Sequence, residues 1–227
     1  MGLDHSPNVV TDGLVFYLDA ANTRSYSGSG NTIYNLSLSA SIGATKSSGV
    51  SLTSNPDKLE FLTDNFLVSD CLLSSGNSFT VSMWFKRVQN FFWTSLFGNE
   101  VWNSSTGYVA RLESSSTVRF SRGGDGVGIV YSNAALVSSN FNFYTFVKNP
   151  SGTNSHIYLN GNIVASGSLE NVSVSKPFVL NGRNANDGSS YVDARASQMS
   201  SVLVYNRALT EQEVVQNYNA TKRRYGL

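Results

Sequence analysis

The sequence holds one cysteine, Cys71, two histidines and four prolines among its 227 residues. A single cysteine excludes an intrachain disulfide. Cys71 reads as a small apolar core residue, with no histidine near it in sequence to make it a reactive thiol. The scarcity of His and Cys excludes a zinc cluster of the usual ligand set. It also leaves little for a Ser-His-Asp triad: His5 lies in the first residues of the chain, and His156 opens an apolar run and reads as structural. A Gly-x-Ser-x-Gly elbow and a phosphate-cradling glycine loop are both missing. Charged residues make up 14% of the chain and the formal net charge is +1, so no global field attracts nucleic acid. No apolar run reaches the ~18 residues of a membrane helix. The opening residues lack the basic end and apolar stretch of a signal peptide, and the Met1-Gly2 start with Ser6 is a chance match to a myristoylation site. The expectation is a chain without membrane insertion, made in a reducing cytoplasm and reaching the outside of a cell only by release, as part of a virus for example.

What replaces the missing charge is Ser, Asn, Thr and Gly, with 12% aromatic and 41% hydrophobic residues overall. These types favour strands and turns. The length suits one β-sandwich, which buries roughly 70–75% of its unfolded surface without staples, so one domain over residues 1–227 is expected. Four Asn-x-Ser/Thr sequons, at Asn35, Asn103, Asn171 and Asn219, read as accidents of composition.

Periodicity places a buried strand at Leu14–Leu18, a long loop over 20–58 with a short strand near Ile33–Leu36, and a strand at Leu59–Leu62. Phe79, Val81, Met83 and Phe85 alternate with polar residues up to Arg87, a strand with one face toward a core. Trp84 falls on the other face, which must then be partly covered. Further strands are expected at Thr94–Gly98, Tyr108–Glu113, Val118–Arg122, Phe143–Lys148, Pro177–Gly182 and Ser201–Tyr205. Asn160-Gly161 between two apolar runs predicts a type I′ hairpin, whose central residues need positive φ. Thr210 with Glu213 forms a capping-box pattern, and Leu209 with Val214 a hydrophobic staple, so a helix is expected over about 211–221. Lys222, Arg223 and Arg224 read either as a solvated helix end or as a docking tail. Many short strands followed by one helix predict an all-β fold: a two-sheet antiparallel jelly-roll sandwich with a short C-terminal helix.

Gly13–Asn22 with Ser25–Gly30, Phe79–Lys86, Ile157–Gly161, and Val204–Thr210 followed by Glu213 and Gln216–Ala220 together resemble laminin-G-like domains of the concanavalin A-like lectin/glucanase superfamily. The two ends, with the closing Arg224-Tyr225-Gly226-Leu227, are most similar to versions in virion proteins of tailed phages, cyanophages among them. The resemblance implies two large sheets, a concave face with a loop rim, and either carbohydrate binding, often with rim calcium, or a structural role. Before the last strand, relatives carry an aromatic-Gly step and an acidic residue; here the stretch is Asp193–Ser201, so no ligand is carried over from it.

Glycosidases need two carboxylates about 5–9.5 Å apart. The Glu-x-Asp-x-Glu cluster of glucanases in this superfamily is absent, and Glu211 with Glu213 is explained by the helix cap. Calcium, which takes six to eight oxygens, has candidate loops at Asp64-Asn65, Gly123–Gly126 and Asn184–Asp187. Each is accounted for by turn chemistry, and no metal or other cofactor is assigned. For sugar stacking the candidates are Phe91, Phe92, Trp93 and Trp102, beside Asn/Ser-rich segments; the competing reading puts them in the core or a subunit contact. The leading expectation is a non-enzymatic phage virion accessory protein, decorating capsid or tail, with virion proteins as partners and host-surface glycans or further copies of the chain as others. A dedicated lectin is the alternative, and a glycoside hydrolase the third reading.

Overall fold

The computed structural model describes residues 7–37, 43–53, 57–69, 78–88, 93–101, 106–123, 128–132, 140–185 and 189–227. Two antiparallel sheets face each other. The first runs, in spatial order, β14 (Asn162–Ser168), β13 (Asn154–Leu159), β12 (Asn142–Lys148), β7 (Phe79–Arg87), β18 (Ser197–Tyr205), β5 (Lys58–Phe61) and β4 (Val50–Thr53). β1 (Leu14–Asp19) joins the same sheet by pairing with the C-terminal half of β18, whose N-terminal half pairs with β5. The second sheet runs β11 (Gly128–Ser132), β10 (Thr117–Arg122), β9 (Tyr108–Leu112), β8 (Thr94–Gly98), β15 (Phe178–Leu180), β6 (Leu67–Ser69), β3 (Gly43–Lys46) and β2 (Thr32–Tyr34). A two-stranded ribbon, β16 (Arg183–Asn184) with β17 (Tyr191–Val192), stands apart.

The alternation in β7 does what the sequence requires. Val81, Met83 and Phe85 enter the inter-sheet core with Phe97, Phe120, Phe146 and Phe178, whose rings meet edge-on or tilted at 5.2–6.2 Å, geometries that suit aromatic quadrupoles. Asn160 and Gly161 have φ of 51° and 84°, the left-handed pair the hairpin needs. The expected loop over 20–58 carries its expected short strand as β2 and is broken further by β3 and β4, four-residue strands that have no periodicity of their own and exist because neighbouring strands pair with them.

The outer face of the first sheet is covered by the two ends of the described chain. Helix α1 (Glu211–Thr221) begins at the expected residue, with Thr210 capping Glu213 N and Glu213 returning to the Thr210 N–H. Trp84, fully buried, donates its indole N–H to Thr221 Oγ1 at 2.7 Å and stacks on Tyr225 with ring centroids 3.9 Å apart. Val214 and Leu209 join the same cluster. Asn217 closes a buried triangle: its Oδ1 accepts from Val10 N, its Nδ2 donates to Tyr205 Oη, and Tyr205 Oη donates to Val10 O. Arg224 reaches back 205 positions to grip Asp19 with both terminal nitrogens, at 2.6 and 3.0 Å. The basic end is therefore neither wholly solvated nor a free tail: Arg224 clamps the ends together.

Candidate functional site

The outer face of the second sheet has the opposite character. Along β9, Tyr108, Ala110 and Leu112 point into the core, so Arg111 points outward; along β10, Val118 and Phe120 point in and Arg119 out. Arg111 and Arg119 are directly opposite each other in the ladder. β8 bulges between Ser95 and Phe97, and the freed Ser95 N–H donates to Asp193 O at 3.0 Å. That bond draws the segment after β17 onto this face.

An unbroken line of alternating charge crosses the face. Asp193 Oδ2 lies 2.6 Å from Arg183 Nε; the same nitrogen lies 3.3 Å from Glu100 Oε1; Glu100 Oε1 lies 3.9 Å from Arg111 Nη1. Arg111 Nε then meets Glu113 Oε1 at 3.3 Å, and that oxygen also accepts from Arg119 Nε at 2.5 Å. Arg183 is brought in by Asn181, which sits at φ 55°, donates to Asn65 O and Arg195 O, and accepts from Ser197 Oγ. Gly98 is needed beneath it: a Cβ there would stand 2.8 Å from Arg183 Cβ.

Glu100 is fully buried. Burial pushes its carboxyl up to about 6; Arg183 and Arg111 pull it back, and Asp193 adds to the rise. Among the described residues neither of its oxygens accepts a geometrically sound hydrogen bond. The two arginines supply charge rather than well-aligned donors.

Trp93 stands at the mouth of β8. It is 47% exposed, its φ is 59°, and Arg111 Cζ lies 4.7 Å from its ring centroid. The cation covers one face of the indole. The competing core reading fails for this residue. Phe91, Phe92 and Trp102 lie outside the described residues, as do Cys71 and His5. His156 pairs with Ser166 Oγ at 2.8 Å, a cross-strand contact that fits the structural reading. Asn35, one of the sequons, spends its side chain on Tyr17 N, Ser37 N and Val15 O.

Of the calcium candidates, Asn65 has its oxygen taken by Gly49 N and Ser47 Oγ. Gly123 closes β10 through Gly107 O, and Asn184 belongs to β16; residues 124–126, 186 and 187 lie outside the described set. Among the described residues no group of three or more His, Cys, Asp or Glu side chains is placed to hold a metal. Glu100 and Asp193 come together, but the place between them is filled by the Arg183 guanidinium.

The sequence pointed to Trp93 but not to its setting. Arg111 and Arg119 lie within strands that were expected, but the sequence did not single them out. Glu100, Arg183 and Asp193 are joined only by the fold.

A laminin G family profile, described as the concanavalin A-like lectin/glucanases superfamily, matches residues 60–215. No curated protein sequence matches the chain. Among solved structures, the chain is similar to the binding domain of botulinum neurotoxin DC in complex with SialylT, with 14% identity, TM-score 0.67, and 92% of this chain and 52% of that one covered. A botulinum neurotoxin type C that enters cells through interaction with two ganglioside molecules aligns at 16% identity and TM-score 0.69, covering 93% and 52%. The binding domain of Paraclostridial Mosquitocidal Protein 1 aligns at 19% identity and TM-score 0.67, covering 92% and 52%. At such identities the likeness is one of fold, and the chain spans about half the length of the structures it matches.

Proposed function

Because the chain belongs to the concanavalin A-like lectin/glucanase superfamily, we propose that it is a non-catalytic carbohydrate-binding module whose platform is Trp93 and the ion-paired face beside it. One observation carries the reading: a large aromatic side chain is held at positive φ and half in solvent. A bulky residue in the left-handed region costs on the order of 1–3 kcal/mol and persists where function requires it. An indole with one face on a guanidinium and an edge in water suits the apolar face of a pyranose, while the flanking carboxylates and guanidinium groups suit its hydroxyls. The ganglioside-dependent cell entry of one structural neighbour and the SialylT complex of another support the same class of ligand. Hydrolysis is disfavoured, since Arg183 bridges the two acids and Glu100 is shut from solvent.

The test is a glycan array on the intact protein, wild type against Trp93→Gly. The expected result is specific binding that falls at least about tenfold in the variant, ~1.4 kcal/mol. Undiminished binding by the variant would remove Trp93 from the site. Binding is expected to survive a calcium chelator, because a guanidinium already occupies the place between the two carboxylates.

The setting we propose is the surface of a tailed-phage particle, on capsid or tail, in contact with virion proteins and made in the host cytoplasm. The similarity of the two chain ends to virion proteins supports it. Mass spectrometry of purified particles should find the protein; its absence from them would overturn this placement while leaving sugar binding untouched.

A further inference from the structure

Among the described residues the buried cations are Lys46, Arg87, Arg111 and Lys148. Arg111 lies beside Glu100 and Glu113. Lys46 donates to Val50 O at 2.8 Å; Lys148 donates to Asn149 O, and to Asn171 Oδ1 at 2.9 Å. Arg87 is different. It is the last residue of β7, on the face that sends Val81, Met83 and Phe85 into the core, and it is 7% exposed. Its side chain ends under the bend at residues 114–116 between β9 and β10, where Nη2 donates to Ser114 O at 2.6 Å. Nε and Nη1 are buried and donate to nothing. The titratable group that acts on it is no acid but Tyr144, itself buried with its hydroxyl bonded to Asn142. A guanidinium carries five N–H donors and is not deprotonated in proteins. One acceptor serves this one, and a single hydrogen bond returns far less than taking the charge out of water costs. The bonded nitrogen also shows where a further acceptor fits. One hydrogen of Nη2 lies parallel to the Nε–H and the other parallel to an Nη1–H. Whichever of them Ser114 O takes, the other completes a two-donor fork with an unpaired nitrogen.

We propose that Arg87 anchors a binding site for a small monocarboxylate, entered beneath the bend at residues 114–116. The open fork matches the two coplanar oxygens of a carboxylate, and one negative charge balances the one uncompensated cation. The cover over the site is slight. It is three serines in a row, with Ser115 exposed at the tip and Ser116 N donating to Ser114 Oγ at 3.2 Å. Tyr144, packed in the inter-sheet core, closes the inner side. The site makes no use of Trp93, so it stands or falls apart from the carbohydrate-binding reading.

The experiment follows the Arg87 Nε–H resonance by NMR and the thermal midpoint of the intact protein, in sodium acetate and in sodium chloride at matched ionic strength. Wild type is compared with Arg87→Met, which removes the buried charge and keeps a flexible side chain, and with Arg87→Lys, which keeps the charge and loses the fork. In wild type, acetate is expected to shift the Arg87 resonance and to raise the midpoint saturably, by about 3–6 °C at about ten times the dissociation constant. Chloride is expected to do neither. Arg87→Lys should weaken the acetate response at least about tenfold, and Arg87→Met should abolish it. A wild-type resonance and midpoint that ignore acetate overturn the proposal. So does an equal effect of chloride, or an acetate response that persists in Arg87→Met. The wild-type resonance decides the matter even where a variant does not fold.

Discussion

Two tryptophans on the outer faces of the two sheets show how one residue type serves opposite ends. Trp84 is sealed under the C-terminal helix with its N–H satisfied and its ring stacked on Tyr225. Trp93 stands half in water at a strained backbone position, backed by a cation. The surroundings follow suit. The first face is apolar, interlocked by residues from both ends of the chain; the second is a line of charge over a buried acid. The difference teaches that the packing that closes the chain and the recognition we propose lie on separate faces, so perturbations of one should leave the other intact.

The sharpest way to break that separation is Trp84→Ala, expected to cost about 3–5 kcal/mol by emptying a packed aromatic site. Urea denaturation should show the loss, and glycan affinity of the folded fraction should be unchanged; a parallel loss of affinity would join the two faces. Next comes Asn217→Ala, which leaves the Val10 N–H without its acceptor and takes one donor from the Tyr205 hydroxyl, which keeps its bond to Val10 O; it should cost about 1–3 kcal/mol, read in the same denaturation series.

Acid should push the two faces in opposite directions. Glu100, raised from 4.5 to about 6, keeps a proton in the folded state that the unfolded chain has lost. Its contribution to stability therefore falls as pH rises from 4.5 to 6, by on the order of 1–2 kcal/mol. Glu113→Gln should not abolish that step, whereas Glu100→Gln should. Glu213 is held down at about 2, chiefly by its hydrogen bond to Arg207. It stabilises the fold above pH 4.5, and that contribution is lost as pH falls from 4.5 toward 2. Arg207→Ala should flatten the acid limb by about 1 kcal/mol or less, as befits a partly exposed pair. Stability measured in steps from pH 2.5 to 7 separates these effects. The smallest change is expected for Trp93→Gly, within about 0.5 kcal/mol of wild type, since relief of positive φ offsets the lost stack. A loss above 2 kcal/mol would make Trp93 a structural residue.

Much of this was legible in the chain. The alternation of β7, the Asn-Gly hairpin and the capping box at Thr210 are local signals with local causes, and each element formed where its residues required. β3, β4 and β6 were not legible. They are three or four residues long, and pairing with neighbours across the sheet creates them. β18 proved longer than expected because Ser197–Ser200, polar by composition, is pulled into the ladder by β5 and β7. The candidate site was half legible for the same reason. Trp93 drew notice as an aromatic beside polar loops, but the Asp193–Arg183–Glu100 connection spans three distant segments that no sequence period relates.

The place of β18 in the first sheet has a consequence for the order of synthesis. It is the strand that touches β7 on one side and both β1 and β5 on the other, yet it is the last strand of the chain to be made. A ribosome adding about 5–20 residues per second needs roughly 6–20 s to travel from the end of β7 to the start of β18. Through that interval three strands wait with open edges for the one that joins them. During those seconds the nascent chain carries unpaired strand edges, the feature that makes partly folded chains prone to pair with one another.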